Sequence, residues 1–523
     1  MRIHPNKGAQ RVLASLLLLA GTIVIAQETA GEWTAAGTLH ASNAEVDDQL
    51  GVGGALMGPT LAISRDGSTL AVAAPHEDGG SRGVDGDQAD NSVYGAGAVY
   101  VFTRNGNVWI QQAYLKASDP SLLDNFGFGV ALSGDGNTLA VSANYEDSNA
   151  IGVDGDPTDD SAEEAGAVYV FSRSADSWSQ RGYLKPSNTD AGDRFGFSLA
   201  LSDDGSTLAV GAIGEDSAAR TINGDQADNA APEAGAVYVF GPQGESWTQQ
   251  AYLKASNTEA GDMYGFCVAL SADGDTLGVC EFDEDSSAEG IGGDQADNRA
   301  RGSGAVYVLE RYDGTWRQRA YVKASNTTVQ AAFGTAIALS ADGNTLAVCA
   351  CDEDGLDPGV GAAQWQADVP AAERTRAIEG SAGAVYVYRR EGPAWAFDTY
   401  IKSSNIGPND VFGSRLALSA DGTVLAAGAP QERGGGSGIN PSIADSSAPE
   451  SGAVYLFVRT AQSWRQEAYV KANDASEYDA FGSGVALNGA GNVLAVAAPG
   501  ADGSTSDLRD AGAAYLFTRS QAQ

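Results

Sequence analysis

Histidine, cysteine, methionine and positive charge are all scarce in this chain of 523 residues. The histidines are His4, His40 and His76, so the sequence excludes a metal site built from several histidines and a histidine acid–base dyad repeated along the chain. Lysine and arginine total 31 against 68 aspartates and glutamates, which gives a formal net charge of −37. Such a surface repels nucleic acid and anionic lipid and attracts cations. An acidity that only maintains solubility is the alternative interpretation.

A long apolar run occupies residues 12–26, behind three basic residues and no acidic one. It is 15 residues long, whereas a membrane-spanning helix needs roughly 20. The run ends in Val-Ile-Ala, a sequence compatible with signal-peptide cleavage. The sequence therefore predicts a signal peptide over residues 1–26 and a secreted, periplasmic or cell-surface protein. A retained N-terminal anchor is the alternative.

Helix-like segments of useful length are also missing, and one short apolar phrase returns instead. Gly-Ala-Val-Tyr, once Gly-Ala-Ala-Tyr, begins at Gly97, Gly166, Gly235, Gly304, Gly383, Gly452 and Gly512. The intervals are 69, 69, 69, 79, 69 and 60 residues. A tryptophan follows each of the first six phrases, and an aromatic-glycine pair follows each of those tryptophans by 17 residues. A long and nearly constant period indicates one supersecondary unit copied in series.

Each unit resolves into four short strands, which we name A to D. In the second unit they cover residues 126–133, 138–143, 166–172 and 178–186, with an Asp-Gly turn between A and B and a long acidic loop between B and C. Dense Val, Tyr, Phe and Leu around such a turn predict an antiparallel meander. Seven meanders around an axis make an all-β protein, a seven-bladed β-propeller of four-stranded blades. We predict one domain over residues 33–520.

The two chain ends carry complementary parts of one unit. Residues 33–42 match strand D, and the C-terminal residues 512–520 match strand C. The last blade is therefore predicted to take its fourth strand from the N-terminus, which closes the ring and removes an aggregation-prone edge. In the first unit, Met57-Gly58 is predicted to take the place of the aromatic-glycine pair.

The four cysteines are Cys267, Cys280, Cys349 and Cys351. Cys267 and Cys280 face each other if the Asp-Gly turn between them is a two-residue hairpin, and a disulfide is then possible in an oxidising compartment. A bulged turn breaks that register. Because other copies carry Gly, Ser or Ala at these places, small buried thiols are an equal alternative, and the Cys-Ala-Cys spacing is not that of a zinc site.

The copies resemble FG-GAP repeats, the unit of the integrin α-subunit head propeller and of many secreted bacterial proteins. The FG half is plain at Phe126, Phe195, Tyr264, Phe333, Phe412 and Phe481, each followed by glycine, and the GAP half is literal at 428–430. The resemblance implies a calcium loop between strands A and B. Here that link is as short as residues 133–138, too short to surround a cation with six to eight oxygens. The metal ligands of the family therefore do not transfer to this chain.

Acidic residues concentrate instead in the loops between strands B and C of the first four units. The motif Gly-Asp-Gln-Ala-Asp-Asn recurs in units 1, 3 and 4, and unit 2 has Gly-Asp-Pro-Thr-Asp-Asp at residues 155–160. In all four units the second acid of a Glu-Asp pair precedes the first aspartate of the motif by nine residues. Carboxylates and amides on Gly-rich loops are calcium ligands. The candidate metal ligands are Glu77, Asp78, Asp87, Asp90, Asn91, Asp147, Asp156, Asp159, Asp216, Asp225, Asp228, Asn229, Asp285, Asp294, Asp297 and Asn298. Asx turns that remain solvated are the competing interpretation.

In an antiparallel meander the B–C loops share one face with the D–A loops between blades, so all long polar loops are expected on one rim. The sequence predicts a monomeric, non-catalytic binding or adhesion propeller, associated with Ca²⁺ and recognising a protein or a glycan through this acidic rim. It predicts no nucleic-acid partner and no membrane insertion after signal removal. The alternative is a polysaccharide hydrolase or lyase that uses carboxylates alone.

Overall fold

The computed structural model describes residues 31–52, 59–364, 380–443, 446–461, 463–503 and 508–520. Its 28 strands form seven sheets of four antiparallel strands each, the blades of a β-propeller. The predicted all-β architecture is confirmed. The predicted signal peptide lies outside the described residues, and among those described no helix has the length and apolar character needed to cross a membrane.

The strands of each blade follow one another in the sheet in the order A, B, C and D. Blades 1 to 3 consist of β2 (Leu61–Ile63), β3 (Thr69–Ala74), β4 (Ala98–Asn105) and β5 (Val108–Leu115); β6 (Gly129–Leu132), β7 (Thr138–Ala143), β8 (Ala167–Ser174) and β9 (Ser177–Leu184); and β10 (Phe195–Leu201), β11 (Leu208–Ala212), β12 (Ala236–Gln243) and β13 (Ser246–Leu253). Blades 4 and 5 consist of β14 (Tyr264–Leu270), β15 (Thr276–Glu281), β16 (Ala305–Tyr312) and β17 (Thr315–Val322); and β18 (Phe333–Leu339), β19 (Thr345–Ala350), β20 (Ala384–Glu391) and β21 (Ala394–Ile401). Blades 6 and 7 consist of β22 (Arg415–Leu418), β23 (Val424–Ala429), β24 (Ala453–Arg459) and β25 (Trp464–Val470); and β26 (Gly484–Leu487), β27 (Val493–Ala498), β28 (Ala513–Arg519) and β1 (Trp33–Leu39).

The short A–B turns are held by a serine and an aspartate. In blade 2, Ser133 Oγ donates to Asp135 Oδ1 at 2.6 Å and accepts from the backbone N–H of Thr138 at 2.9 Å. In blade 7 a single side chain holds the turn. Asn488 Oδ1 accepts from the backbone N–H groups of residues 492 and 493, each at 2.9 Å. The repeated aspartates of these turns are therefore Asx-turn residues.

A closed ring of backbone hydrogen bonds joins the blades at these turns. In each blade one residue donates its N–H to the carbonyl oxygen of the equivalent residue in the next blade, over 2.8 to 3.0 Å. The ring members are Arg65, Gly134, Asp203, Ala272, Ala341, Ala420 and Gly489, whose N–H returns to Arg65. The blades are thus connected by main-chain bonds that do not depend on side-chain identity.

The two repeated glycine motifs form one contact between neighbouring blades. Gly97 has a φ of +80°, and a Cβ there would lie 2.1 Å from the carbonyl oxygen of Phe126 in the next blade. The Phe126 ring packs edge-on against Tyr169, with centroids 5.3 Å apart. Glycine is needed because the backbones approach this closely.

The junction between blades 7 and 1 corrects one prediction. A Cβ on Gly512 would lie 2.2 Å from the backbone nitrogen of Leu50, so Leu50 takes the aromatic position there. The predicted pair Met57-Gly58 lies outside the described residues, and its assignment to this contact is wrong. The reason is that the extra residues of this loop follow Gly51 rather than precede it.

The ring closes as predicted. Strand β1 pairs with β28 from Trp33 opposite Arg519 to Leu39 opposite Ala514. Trp33 is buried, and its indole N–H donates to Glu467 Oε2 of blade 6 at 3.1 Å. The N-terminal strand is therefore held by the sheet it completes and by the preceding blade.

The cysteines follow a different pattern from the one considered first. The register of β14 and β15, with Val268 opposite Val279, places Cys267 opposite Cys280, and both are free thiols. The disulfide joins Cys349 and Cys351, whose Cα atoms are 5.5 Å apart.

Candidate binding face

The B–C and D–A loops meet on one side of the propeller, which we call the loop face. In blades 1 to 4 the B–C loops cover residues 75–97, 144–166, 213–235 and 282–304. The D–A loops that enter these blades cover residues 40–60, 116–128, 185–194 and 254–263, of which 53–58 are not described. Hydrogen bonds between the two kinds of loop, given below, confirm their predicted convergence.

The glutamine and asparagine of the repeated motif clasp the two loops together. In blade 3, Gln226 accepts from Ser187 Oγ at 2.5 Å through its side chain and from Asn188 Nδ2 at 3.1 Å through its backbone carbonyl. Asn229 Nδ2 donates to Asp190 Oδ2 at 3.0 Å. Asn91 and Asn298 make the same bond in blades 1 and 4, to Glu45 and Glu259. These asparagines were predicted as metal ligands, and their amide N–H groups donate to the hydrogen bonds that join the two loops.

The first aspartate of each motif lies in an exposed Asx turn. One carboxylate oxygen accepts from the backbone N–H two residues later at 3.0 Å, in Asp87, Asp156, Asp225 and Asp294. The second aspartate is less uniform. Asp90 accepts from the backbone N–H of residue 92 at 3.1 Å, and Asp159 and Asp228 are exposed and half-exposed. A side-chain hydrogen bond from Arg299 is the largest cause that lowers the pKa of Asp297 to about 2.

The second acid of each Glu-Asp pair closes its own loop. One oxygen of Asp78, Asp147, Asp216 and Asp285 accepts a backbone N–H 17 residues later, in each case at 2.8 Å. This bond joins the start of the B–C loop to its end. These four aspartates therefore set the loop shape.

The glutamate of the pair is buried in an ion pair that sequence reasoning missed. In blade 3, Lys254 Nζ lies 3.0 Å from Glu215 Oε2, and Tyr252 donates its hydroxyl to Glu215 Oε1 at 2.7 Å. Burial lowers the pKa of Lys254. Each of blades 1 to 6 has the Glu–Lys pair, as Glu77–Lys116, Glu146–Lys185, Glu215–Lys254, Glu284–Lys323, Glu353–Lys402 and Glu432–Lys471. Glu77, predicted as a metal helper, is thus bound to a lysine and a tyrosine.

Blade 7 lacks all members of this arrangement together. Ala501, Thr38 and His40 stand where the glutamate, tyrosine and lysine stand elsewhere. The signal in the sequence was the constant separation of 37 and 39 residues from glutamate to tyrosine and lysine in blades 1 to 4 and 6.

A second set of buried acids lies in the D–A loops. Each accepts the backbone N–H three residues earlier, at 2.6 to 2.9 Å; the set is Asp48, Asp124, Asp193, Asp262, Asp410 and Asp479. Burial is the main cause that raises their pKa values, to about 8 for Asp193 and about 7 for the others. Nearby carboxylates add to the shift of each of these aspartates.

The metal prediction is not decided by this geometry. Among the residues that the structure describes, no three His, Cys, Asp or Glu side chains are grouped as metal ligands would be. A calcium ion on a B–C loop would therefore depend on one or two aspartates, with carbonyl oxygens and water completing its shell.

The axis offers a small cavity of about 120 Å³. Strand A residues line it, among them Ser198, Cys267 and Arg415. Arg415 donates to the backbone carbonyls of Ser483 at 3.0 Å and Ser414 at 2.9 Å.

Comparison with known proteins agrees with the fold. The FG-GAP repeat model matches residues 109–171, 178–240, 247–309 and 464–517. The chain carries FG-GAP repeats in these four segments, and its seven four-stranded sheets build a β-propeller. No curated protein matches it.

Among solved structures, the chain is similar to the periplasmic gluconolactonase PpgL of Pseudomonas aeruginosa, with 16% identity, a TM-score of 0.42 and coverage of 81% of this chain and 87% of that one. It is also similar to the β-propeller domain of Cps50 (Swd1) of Myceliophteria thermophila, with 9% identity, a TM-score of 0.46 and coverage of 93% and 99%.

Proposed function

We propose that this protein is a secreted binding or adhesion module that recognises a protein or a glycan through its loop face, without catalysis. The observation that carries the proposal is the clasp between B–C and D–A loops. Long surface loops are ordinarily mobile, and binding surfaces gain affinity when their loops are ordered in advance. Here Gln226, Asn229 and their equivalents hold the loops blade to blade. The exposed carboxylates are left to face a partner.

Calcium belongs to this proposal as an ion that sets the shape of the loop face. The exposed Asp225 and the half-exposed Asp228 of blade 3 lie three residues apart on one loop. A ligand that binds only the folded state stabilises it by about 2.7 kcal/mol at a hundred times its Kd. We therefore expect a chelator to lower the Tm by a few degrees. Calcium should no longer stabilise blade 3 in the variant Asp225→Asn/Asp228→Asn.

A glycan array tests the binding surface directly. The wild-type protein and the variant Asp87→Asn/Asp90→Asn are applied with millimolar calcium and with a chelator. Binding that the variant loses supports the loop face, and Asp66→Asn, on the opposite face, is the matched control. Array binding that is equal in all three proteins would refute recognition through these carboxylates. Calorimetry without bound calcium or a chelator effect would remove calcium from the proposal.

A further inference from the structure

Exposed large apolar side chains are concentrated on the loop face. Of the twelve that the described residues contain, eight lie there, on B–C or D–A loops: Val46, Tyr94, Leu122, Leu123, Ile151, Leu356, Ile443 and Tyr478. Single exposed apolar residues need no explanation, whereas a group of adjacent ones marks an interaction site.

Three of these residues form one group at the junction of blades 1 and 2, which we call the Tyr94 patch. The backbone N–H of Leu123 donates to the carbonyl oxygen of Tyr94 at 3.0 Å, which joins the D–A loop to the B–C loop of blade 1. Tyr94, Leu122 and Leu123 are 65%, 67% and 49% exposed. The same backbone bond occurs at other junctions, where the residue equivalent to Tyr94 is Glu163 or Pro232.

Leu123 carries a large apolar side chain on a left-handed backbone. Its φ is +64°, in the left-handed region that penalises residues with a bulky side chain. Equivalent positions at the other junctions are also left-handed and hold Asp47, Gly192, Gly261, Gln330, Asn409 and Tyr478, so the fold imposes this conformation there. Glycine and asparagine suit it best. Leu123 is half exposed, so burial does not repay the strain. The leucine at position 123 therefore carries a backbone strain that glycine avoids at residues 192 and 261.

The charge around the patch defines its partner. Asp124 follows Leu123 directly; burial is the main cause that raises its pKa to about 7, and the carboxylates of Glu146, which is paired with Lys185, and of Asp147 and Asp160 add to the shift. The nearby cation Arg82 is paired with Asp119 at 2.5 Å. A second copy of a chain with net charge −37 would be repelled. Two adjacent leucines suit apolar side chains better than the hydroxyl-rich surface of a glycan.

We propose that the Tyr94 patch is the docking site of a protein partner that presents apolar side chains flanked by lysine or arginine. This inference rests on the proposed function, because it takes the loop face as the binding surface. It assigns that surface an apolar anchor point and a partner chemistry. Electrostatic attraction brings the partner to the acidic face, and the leucines select the site.

The sibling loops supply the variant that tests the proposal. Leu122→Ala/Leu123→Gly reproduces the Ala-Gly pair of residues 191–192 and 260–261, where glycine already adopts the required φ. We expect this variant to fold with an unchanged or raised Tm, since glycine relieves the strain at position 123. Ala260→Leu/Gly261→Leu is the matched control, because it adds the same leucines at another junction.

The probe is a short fluorescein-labelled peptide of alternating leucine and lysine. Its binding is measured by fluorescence anisotropy at about 150 mM salt, because remote charges are screened at that ionic strength. We expect the wild type and the control to bind this peptide. The Leu122→Ala/Leu123→Gly variant should bind it with an affinity reduced by about tenfold or more. A peptide in which serine replaces leucine should bind the wild type as weakly as the leucine-lysine peptide binds the Leu122→Ala/Leu123→Gly variant.

Three results would overturn the proposal. No binding of the leucine-lysine peptide by the wild type refutes the partner chemistry. Equal binding by the wild type and the Leu122→Ala/Leu123→Gly variant refutes the patch; if Asp87→Asn/Asp90→Asn then abolishes it, the loop face still stands as a binding surface. A wild-type dimer that dissociates in the Leu122→Ala/Leu123→Gly variant, measured by light scattering, would make a second copy the occupant.

Discussion

Replacing Lys254 by methionine removes the ammonium group from a buried ion pair and keeps an unbranched apolar side chain that is one atom shorter. In the wild type both Lys254 and Glu215 are buried, and Lys254 also donates to the carbonyl oxygen of Gly235 at 2.7 Å. In Lys254→Met, Glu215 keeps its hydrogen bonds from Tyr252 and from the backbone N–H of Ser217. It has no counter-charge, and breaking a buried pair in this way costs about 3–5 kcal/mol.

The expected change in melting temperature follows from the size of the propeller. Unfolding entropy is about 2.1 cal/mol/K per residue, so a ring of roughly 490 residues loses about 1 °C of Tm per kcal/mol. Calorimetry should therefore find Lys254→Met about 3–5 °C below the wild type at pH 7.5. Glu245→Gln, exposed in the C–D turn of the same blade, is the control and should leave Tm unchanged.

The pH dependence of Lys254→Met separates lost charge pairing from lost packing. A buried carboxylate without a counter-charge favours its neutral form, because burial disfavours charge. A carboxyl whose pKa is raised on folding adds stability as pH falls through its folded value. The Tm deficit should therefore shrink between pH 8 and pH 5. Glu215→Gln/Lys254→Met should lose less at pH 7.5 than Lys254→Met alone. A deficit that is independent of pH, or a double variant that loses more, would refute the ion-pair explanation.

Three further predictions concern other parts of the ring. The pKa of Asp193 is raised to about 8, mainly by burial, so the folded chain binds its proton more tightly than the unfolded chain; Asp193→Asn should raise the Tm most above pH 8, and this gain should shrink as pH falls towards 5. Equal gains at both pH values would contradict this. Deletion of Trp33–Ser42 should expose β28 and cause aggregation in light scattering, whereas removal of 82–91 from a B–C loop should leave a monomer. Mass spectrometry after alkylation without reductant should label Cys267 but leave Cys349 and Cys351 protected, and labelling of the latter two would contradict their disulfide.

The fold was predictable because the residues that determine it repeat at a nearly constant interval along the sequence. The number of Gly-Ala-Val-Tyr repeats gives the number of blades. The match of residues 33–42 to strand D and of the C-terminal residues to strand C identifies the blade that the two chain ends share. Leu50 was missed because counting back from strand A passes through an insertion, and only the contact with Gly512 shows which residue packs there.

The site was less predictable because its carboxylates have similar sequence contexts and different environments. Glu77 is buried against Lys116, Asp78 closes its own loop, and Asp87 faces solvent. Acidic residues of one loop therefore have three different roles, which depend on the environment that the fold gives each side chain. Lys116, which neutralises Glu77, lies 39 residues further along the chain, so the sequence around the acids does not show the pair.

The sharing of blade 7 between the two chain ends also sets the order of assembly. Glu32 and Ser520 are hydrogen-bonded although 488 residues separate them, while the strands of every other blade are close in sequence. A chain that emerges N-terminus first can thus build six blades locally, but β1 must wait for the last strand to be synthesised. Each doubling of a loop adds only about 0.6 kcal/mol of closure entropy, so this late step is limited by time more than by free energy. A nascent chain halted before residue 513 would lack β28, and β1 would have no strand to pair with.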